Sequence, residues 1–180
     1  MEQAILKTKV LDLGEPKALL SLVIDPPRLD NILTSITTLK EVGALFTTVK
    51  GKPTPFDGDL SYLGRIMSKL PMDVHLSKLI MLGYVFNVLE ECIIMACGLA
   101  SKNIFTAPYQ KRLHAYQVKM TWSEASFSDP MTILNAFQTW KGLHRSEYFK
   151  RSGESEKARD KRWARDFNIQ LRSIKVNTCH

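Results

Sequence analysis

The stretch from Asp57 to Asp73 constrains the fold more than any other part of the sequence. Its Asp57-Gly58 pair suits the positive backbone angles of a hairpin turn, and the Ser61 hydroxyl can accept a hydrogen bond from the first free amides of a helix. Pro71 cannot continue that helix. A hairpin that returns into a capped helix is typical of the wing end of a winged-helix domain, a module used for docking and nucleic-acid binding more often than for catalysis.

Helices and a short wing precede Pro71. Apolar spacing and stop signals predict helices over residues 3–13, from Pro16 to Leu22 and over residues 29–43. Residues 44–49 favour a strand, and residues 59–62 can pair back on it. This order predicts a winged-helix domain over residues 1–70.

The chain after Pro71 is predicted to be almost wholly helical. Helices are expected over residues 74–88, 89–100 and 109–120, from Asp129-Pro130 onward, and from near Glu156 to beyond Arg172. The first two are apolar around much of their circumference, as in the middle of a bundle. The sequence thus predicts a mainly α protein, a winged helix with a small β-hairpin wing followed by a helical bundle over residues 71–180.

The positive charge is concentrated near the C-terminal end of the sequence. Residues 141–180 contain 11 Lys and Arg against 5 Asp and Glu, which accounts for six of the net charge of +7. A basic helix can neutralise phosphates and make binding salt-dependent. A solvated surface helix would show the same charge pattern, so charge alone leaves RNA contact and a plain surface equally open.

Cysteine usage and apolar runs indicate an intracellular, soluble protein. Cys92, Cys97 and Cys179 are an odd number without CxxC spacing, which favours reduced thiols over a disulfide framework or a zinc site. The start of the sequence lacks the apolar core of a signal peptide. Its longest apolar run, residues 79–89, is too short to span a bilayer, so no membrane partner is expected.

No motif for chemistry is present in the sequence. It has no GxxxxGK[ST] loop for nucleotide phosphates, no HExxH and no GxSxG. The four histidines are scattered without metal-ligand spacing. We therefore expect no catalytic residues and no metal site, and an autonomous hydrolase is disfavoured.

Aromatic residues accumulate in the same half as the charge. Stacking on bases together with phosphate contact would suit single-stranded nucleic acid. Core packing is the alternative, and it is favoured for Phe137, Trp140 and Trp163. The full aromatic set is Trp122, Phe127, Phe137, Trp140, Tyr148, Phe149, Trp163 and Phe167.

Taken in order, several segments closely resemble the helicase-associated region that follows the two RecA-like motor domains of DEAH-box ATP-dependent RNA helicases. The shared segments lie at residues 6–14, 25–27, 39–45, 57–73, 78–80, 90–94, 101–108, 129–141 and 163–173. The wording of residues 12–17 and 82–86 is most similar to the spindle-E type of Tudor-domain helicase, which acts in the germline piRNA pathway. Each segment is weak alone, but their common order is specific.

This resemblance implies a winged helix followed by a ratchet-like helical domain that encloses a channel for single-stranded RNA with the motor domains. ATP and Mg would then be bound by the motor domains of the parent helicase, with no cofactor in this chain. The implied partners are single-stranded RNA, the two motor domains and further C-terminal domains of the parent. The implied location is cytoplasmic, in germ granules (nuage) for a spindle-E-like parent silencing transposons.

Three residues are the RNA-contact candidates that the resemblance suggests. Gln170 and Arg172 match polar positions of the family's last ratchet helix, and Arg165 is expected on a similar face of that helix. Arg172 could instead pair with an acid inside the domain. Related helicases have Asn-Phe where this chain has Phe167-Asn168, so no contact is assigned to that asparagine.

The sequence leaves two alternatives open. The chain could be a fragment of a longer helicase, because the motor motifs are absent from it, and truncated at its C-terminus, because residues 176–180 show no clear stop. It could also be a stand-alone winged-helix and helical-bundle module that binds a protein partner without RNA.

Overall fold

A computed structural model describes residues 1–101, 104–107, 109–145 and 155–170. Its elements are α1 (Glu2–Val10), α2 (Pro16–Leu20), α3 (Leu29–Glu41), β1 (Thr48–Val49), β2 (Lys52–Pro53), α4 (Tyr62–Met67), α5 (Val74–Val85), α6 (Leu89–Ala100), a 3-10 turn (Tyr109–Lys111), α7 (Arg112–Ser123), α8 (Asp129–Arg145) and α9 (Glu156–Asp166). The fold is mainly α with a two-stranded hairpin, which confirms the predicted fold class.

The chain divides into two compact units, the first being Met1–Leu82 and the second beginning at Gly83. This division falls within α5, whereas the sequence places a domain boundary between residues 70 and 71. That domain assignment stays a prediction.

The first unit is organised around one apolar core built by α1, α3 and the segments beside them. Helix α3 supplies three of its most buried side chains because Ile32, Ile36 and Leu39 recur at helical spacing. Its buried members are Ile5, Leu6, Leu20, Ile32, Ile36, Leu39, Val42, Ala44, Leu45, Met67 and Val74.

The wing is present, but its tight turn lies elsewhere than predicted. Strand β1 pairs antiparallel with β2, Thr48 opposite Pro53 and Val49 opposite Lys52. The turn residues are Lys50 and Gly51, at φ 48° and 78°. The prediction that Asp57-Gly58 forms this positive-φ turn is therefore wrong, since Gly58 is not among the glycines with positive φ.

Gly58 instead allows two backbone segments to approach closely. A Cβ on Gly58 would lie 2.1 Å from the carbonyl oxygen of Phe46. Close by, the Phe46 amide donates to the Asp59 carbonyl at 2.8 Å, and Leu45 forms a bridge with Leu60. The prediction that residues 59–62 pair back on the first strand is confirmed for Asp59 and Leu60. This pairing needs glycine at position 58, because a larger residue would clash with Phe46.

The predicted helix cap at Ser61 is also confirmed. The Ser61 Oγ accepts a hydrogen bond from the Gly64 amide at 2.9 Å. The same hydroxyl can donate to the carbonyl of Gly43, 2.7 Å away, or of Ala44, 2.9 Å away. Ser61 therefore ties the start of α4 to the chain that leaves α3.

Two lysines fix the wing to the helices of the first unit. Lys9 Nζ lies 2.8 Å from an Asp57 carboxylate oxygen, and both side chains are largely buried. Lys40 Nζ donates to the carbonyls of Thr54 and Pro55, and its partial burial lowers the pKa of Lys40 although Asp57 opposes that shift. The hairpin is thus held by charge-assisted hydrogen bonds.

The second unit is a helical bundle with its own core. Gly98 of α6 lets α8 approach, because a Cβ there would lie 2.4 Å from Ile133 Cγ2. The prediction that Phe137, Trp140 and Trp163 pack in the core is confirmed, since their exposed fractions are 4%, 9% and 6%. The buried members are Ile94, Ile104, Ile133, Leu134, Ala136, Phe137, Trp140, Trp163, Ala164 and Ile169.

The last helix is shorter than predicted. Helix α9 ends at Asp166, Asn168 takes φ 52°, and Ile169 forms an antiparallel bridge with Phe105. A residue in left-handed conformation followed by extended chain cannot continue a helix. The prediction of a helix running beyond Arg172 is wrong.

Among the helices in the described part of the chain, none combines the length and apolar character needed to cross a bilayer.

Gly64 gives a test of the close packing around α4. A Cβ on Gly64 would lie 2.1 Å from the Ala44 carbonyl oxygen, whereas one on Gly142 of α8 would meet no atom within 4 Å. We expect Gly64→Ala to lower the free energy of unfolding by about 1–3 kcal/mol through overpacking. Gly142→Ala should raise it by about 0.5–1 kcal/mol, as alanine does in an open helix position. Urea unfolding measures both, and a stabilising Gly64→Ala would contradict the structure.

Candidate nucleic-acid interface

Helix α9 has one buried face and one charged face. Ser155 caps its start, accepting from the Ala158 amide, and the apolar face carries Trp163 and Ala164 into the core of the second unit. The remaining positions are dominated by Lys and Arg. A helix of this composition is a surface helix held in place by a narrow apolar strip.

The buried face also carries a carboxylate. Asp160 is 2% exposed, and its Oδ1 accepts from the Trp140 indole Nε1 at 3.3 Å and lies 2.7 Å from His144 Nε2. Both partners belong to α8. A buried carboxylate is tolerated only when hydrogen-bonded, so these contacts set the rotation of α9 about its own axis.

A row of cations runs along an exposed side of this helix. Lys157, Lys161 and Arg165 follow one another at intervals of four residues, which places them along one side of the helix, and all three are exposed. Arg165 is 79% exposed, and its Nε lies 3.6 Å from Asp166. An ion pair this exposed is weak, so Arg165 can exchange it for a phosphate.

The structure separates the sequence-predicted contact residues. Gln170 is exposed and follows the helix in extended chain, with its amide donating to the Ile104 carbonyl at 2.8 Å. Arg165 lies on α9 itself. The helix that was expected to carry both Arg165 and Arg172 ends at Asp166, and Arg172 lies outside the described residues.

Asn168 has a local structural role. It takes the left-handed conformation after α9, its carbonyl accepts from the Thr106 amide at 2.7 Å, and its side-chain amide lies 3.3 Å from His114 Nδ1. Asparagine is well suited to that backbone conformation. The order Phe167-Asn168 therefore puts the turn-forming residue at the position that needs it.

Ligand atoms of one trio in the described part of the chain come close enough to hold a cation. Atoms of His144, Glu156 and Asp160 lie within 4.8 Å of one another. The His144 and Asp160 atoms are only 2.7 Å apart. Two ligands of a tetrahedral zinc ion stay about 3.3 Å apart, since each lies about 2.0 Å from the metal. The short separation fits a hydrogen bond between the two helices better than a metal centre.

The described cysteines lack the environment of a nucleophile. Cys92 and Cys97 are free thiols, and burial raises the pKa of each, with Glu91 adding to the effect at Cys92. A raised pKa lowers the thiolate fraction that reacts. Cys179 lies outside the described residues.

Sequence reasoning missed the role of Asp160 and the cations Lys157 and Lys161. The signal was available: Asp160 stands three residues before Trp163 on the apolar side of a basic helix. An acid at such a position is either unstable or bound to a partner, which here comes from α8.

A family comparison identifies the chain. Residues 73–170 match the model described as "Helicase associated domain (HA2), ratchet-like". The chain belongs to this family of helicase-associated domains, and the resemblance seen in the sequence is confirmed.

Its relatives are ATP-dependent RNA helicases. The chain is 44% identical over 174 residues to "Probable ATP-dependent RNA helicase spindle-E" of Culex quinquefasciatus and 45% identical over 174 residues to the Aedes aegypti protein of that name. It is 41% identical over 173 residues to "ATP-dependent RNA helicase TDRD9" of Homo sapiens. These matches cover 97%, 97% and 95% of this chain but 12% of each relative. The chain thus corresponds to the accessory, helicase-associated region of such proteins.

Asp160→Asn tests the attachment of α9. The variant keeps the size of the side chain but removes the charge that strengthens its bonds to His144 and Trp140. We expect the free energy of unfolding to fall by about 1.5–3 kcal/mol, the range for hydrogen bonds to a charged group.

Asp166→Asn is the matched control, since Asp166 is 55% exposed on the same helix. It should change stability by less than about 0.5 kcal/mol. Urea unfolding measures the free energy of unfolding of both variants, and an equal loss in the two would contradict a structural role for Asp160.

Proposed function

We propose that this chain forms part of the wall of a single-stranded RNA channel in an ATP-dependent RNA helicase and couples movement of the motor domains to the RNA. The observation that carries the proposal is the row of exposed cations on α9, a helix whose buried side is fixed to α8. Membership of the helicase-associated family supplies the context.

The geometry of α9 suits contact with an RNA backbone. Phosphates are bound without regard to sequence by Lys and Arg, as a helicase that moves along RNA requires. Lys157, Lys161 and Arg165 are exposed, and the buried side of the same helix is held in place by Asp160 and Trp163. A fixed helix lets the strand meet a constant set of charges as it moves.

The proposed contact residues are Arg165, Gln170 and Arg172, and we add Lys157 and Lys161 because both are exposed on α9. Gln170 is supported by its exposure and by a backbone held to Ile104. For Arg172 the support is the resemblance alone.

We assign ATP and Mg binding to the motor domains of a parent helicase and none to this chain, which is proposed not to hydrolyse ATP. The purified chain should release no phosphate from ATP with or without RNA, and turnover would overturn that assignment.

Parent activity in germline piRNA silencing of transposons, in cytoplasmic germ granules, is proposed from the resemblance to spindle-E-type helicases.

A protein-binding module without RNA contact is the second candidate. It is favoured by the exposed apolar side chains Tyr84, Val85 and Phe86 at the end of α5, which are 69%, 70% and 71% exposed. An apolar group of this kind on a protein surface is common at binding sites for other proteins. Salt-sensitive RNA binding separates the two candidates.

Replacing the α9 cations should weaken RNA binding and reduce its dependence on salt. We expect the triple variant Lys157→Gln, Lys161→Gln, Arg165→Gln to lower the slope of log K against log salt by up to about 2, since each phosphate contact on a single strand contributes about 0.7. Fluorescence anisotropy with a labelled oligouridine at two or more salt concentrations measures this.

A matched variant controls for overall charge. Lys7→Gln, Arg28→Gln, Lys69→Gln removes two lysines and one arginine, all exposed, from the first unit. It should leave the slope close to that of the unaltered chain. Equal slopes for the two triple variants would show that net charge, and not α9, determines binding. No RNA binding at low salt would favour the protein-binding module.

A further inference from the structure

The second unit also exposes a row of large side chains that could contact the bases of a nucleic acid. Helix α7 and the 3-10 turn before it expose three large side chains in one row: Tyr109, Leu113 and Tyr116 are 83%, 72% and 62% exposed. Their spacing of four and then three residues places them on one side of the helical segment. Large side chains in such a row normally face a core.

An arginine lies among these aromatic rings. The Arg112 guanidinium carbon is 4.8 Å from the centroid of the Tyr109 ring, within the range of a cation–π contact. Arg112 therefore stays beside the rings, where it can reach a phosphate of a strand whose bases rest on the tyrosines. We call Tyr109, Arg112 and Tyr116 the tyrosine face.

A groove adjoins the tyrosine face. It has a volume of about 280 Å³ and is lined by Phe105, Thr106, Ala107, Arg112, Ala115, Tyr116 and Lys119. Two aromatic side chains and two cations thus border one concave surface. Lys119 is also paired with Asp129 at 2.7 Å, so Arg112 is the cation assigned to the bound strand.

The groove is continuous with the segment that carries Gln170. Phe105 forms a bridge with Ile169, and the Thr106 amide donates to the Asn168 carbonyl at 2.7 Å. His114 of α7 contacts the Asn168 side chain at 3.3 Å. The groove beside the tyrosine face is therefore lined by a segment, residues 105–107, that pairs with residues 168–169, and both segments are parts of the second unit.

The charge of this part of the sequence favours a nucleic acid as the occupant. Residues 92–123 contain no Asp or Glu and four Lys and Arg. Exposed tyrosines can stack on bases, and an arginine in a segment without acidic residues can contact phosphates, so this surface suits a nucleic acid. Base stacking on aromatic side chains is tolerant of sequence, as the proposed channel requires.

We propose that the tyrosine face is a base-stacking subsite for single-stranded RNA, with Tyr109 and Tyr116 as the stacking rings and Arg112 as a phosphate contact. The proposal rests on the RNA-channel function above and gives that function a second kind of contact. The α9 cations hold the backbone, and the tyrosine face holds bases.

The test compares oligouridine with an abasic oligoribonucleotide of the same length, both labelled for anisotropy and bound by the full chain. The variant Tyr109→Ala, Tyr116→Ala should bind oligouridine at least about tenfold more weakly, the order of effect known for stacked bases. Its affinity for the abasic strand and its salt slope should match those of the unaltered chain.

Two control variants define the contact. Tyr109→Phe, Tyr116→Phe keeps the rings and should retain oligouridine affinity. Leu113→Ala removes the exposed leucine between them and should change little. Circular dichroism checks that each variant keeps its helical content.

The other outcomes overturn the proposal in different ways. Equal loss on both strands would show that the tyrosines act through the fold, and unchanged oligouridine binding would show that no base stacks there, while the α9 contacts stand in both cases. If the unaltered chain binds neither strand at low salt, both the RNA channel and the stacking subsite are wrong.

Discussion

The second unit depends on one buried carboxylate. Asp160 is almost wholly inside the protein, and two side chains of α8, Trp140 and His144, contact the same oxygen. Because an ionised carboxylate without partners would be strongly unfavourable there, α9 has one acceptable rotation against α8. That rotation also determines which side chains of α9 remain exposed. The row of Lys157, Lys161 and Arg165 is a consequence of that buried contact.

The first unit uses a different constraint, which is steric. Gly58 and Gly64 sit where a neighbouring carbonyl leaves no room for a Cβ, and Ser61 between them satisfies backbone groups at both ends of the wing. The hairpin and α4 are thus fixed by close backbone contact as well as by apolar burial. Lysines Lys9 and Lys40 secure the hairpin to the helices behind it.

Much of the fold follows from local sequence signals. The helix starts at Pro16, Leu29 and Val74 were predicted because proline, capping residues and apolar spacing act over a few residues. The aromatic core residues Trp140 and Trp163 were predicted on the same grounds. One error came from competition between local signals: Asp57-Gly58 and Lys50-Gly51 both suit a turn, and the pairing of Thr48 with Pro53 selects the second. The error at the end of α9 came from a long-range contact, since Ile169 just beyond the helix pairs with Phe105, a residue distant in sequence.

The sequence by itself determined the mainly α class, the winged-helix order, the family and the region of positive charge, because each follows from composition or from short motifs. The tertiary structure decided which charges face outward together and which residue fixes them. Asp160 is an ordinary acid in a basic helix until α8 brings Trp140 and His144 to it. Tyr109 and Tyr116 likewise follow a core-like pattern, and only packing shows that they face solvent. Burial and partners depend on residues far apart in the chain, so spacing within one helix cannot specify them.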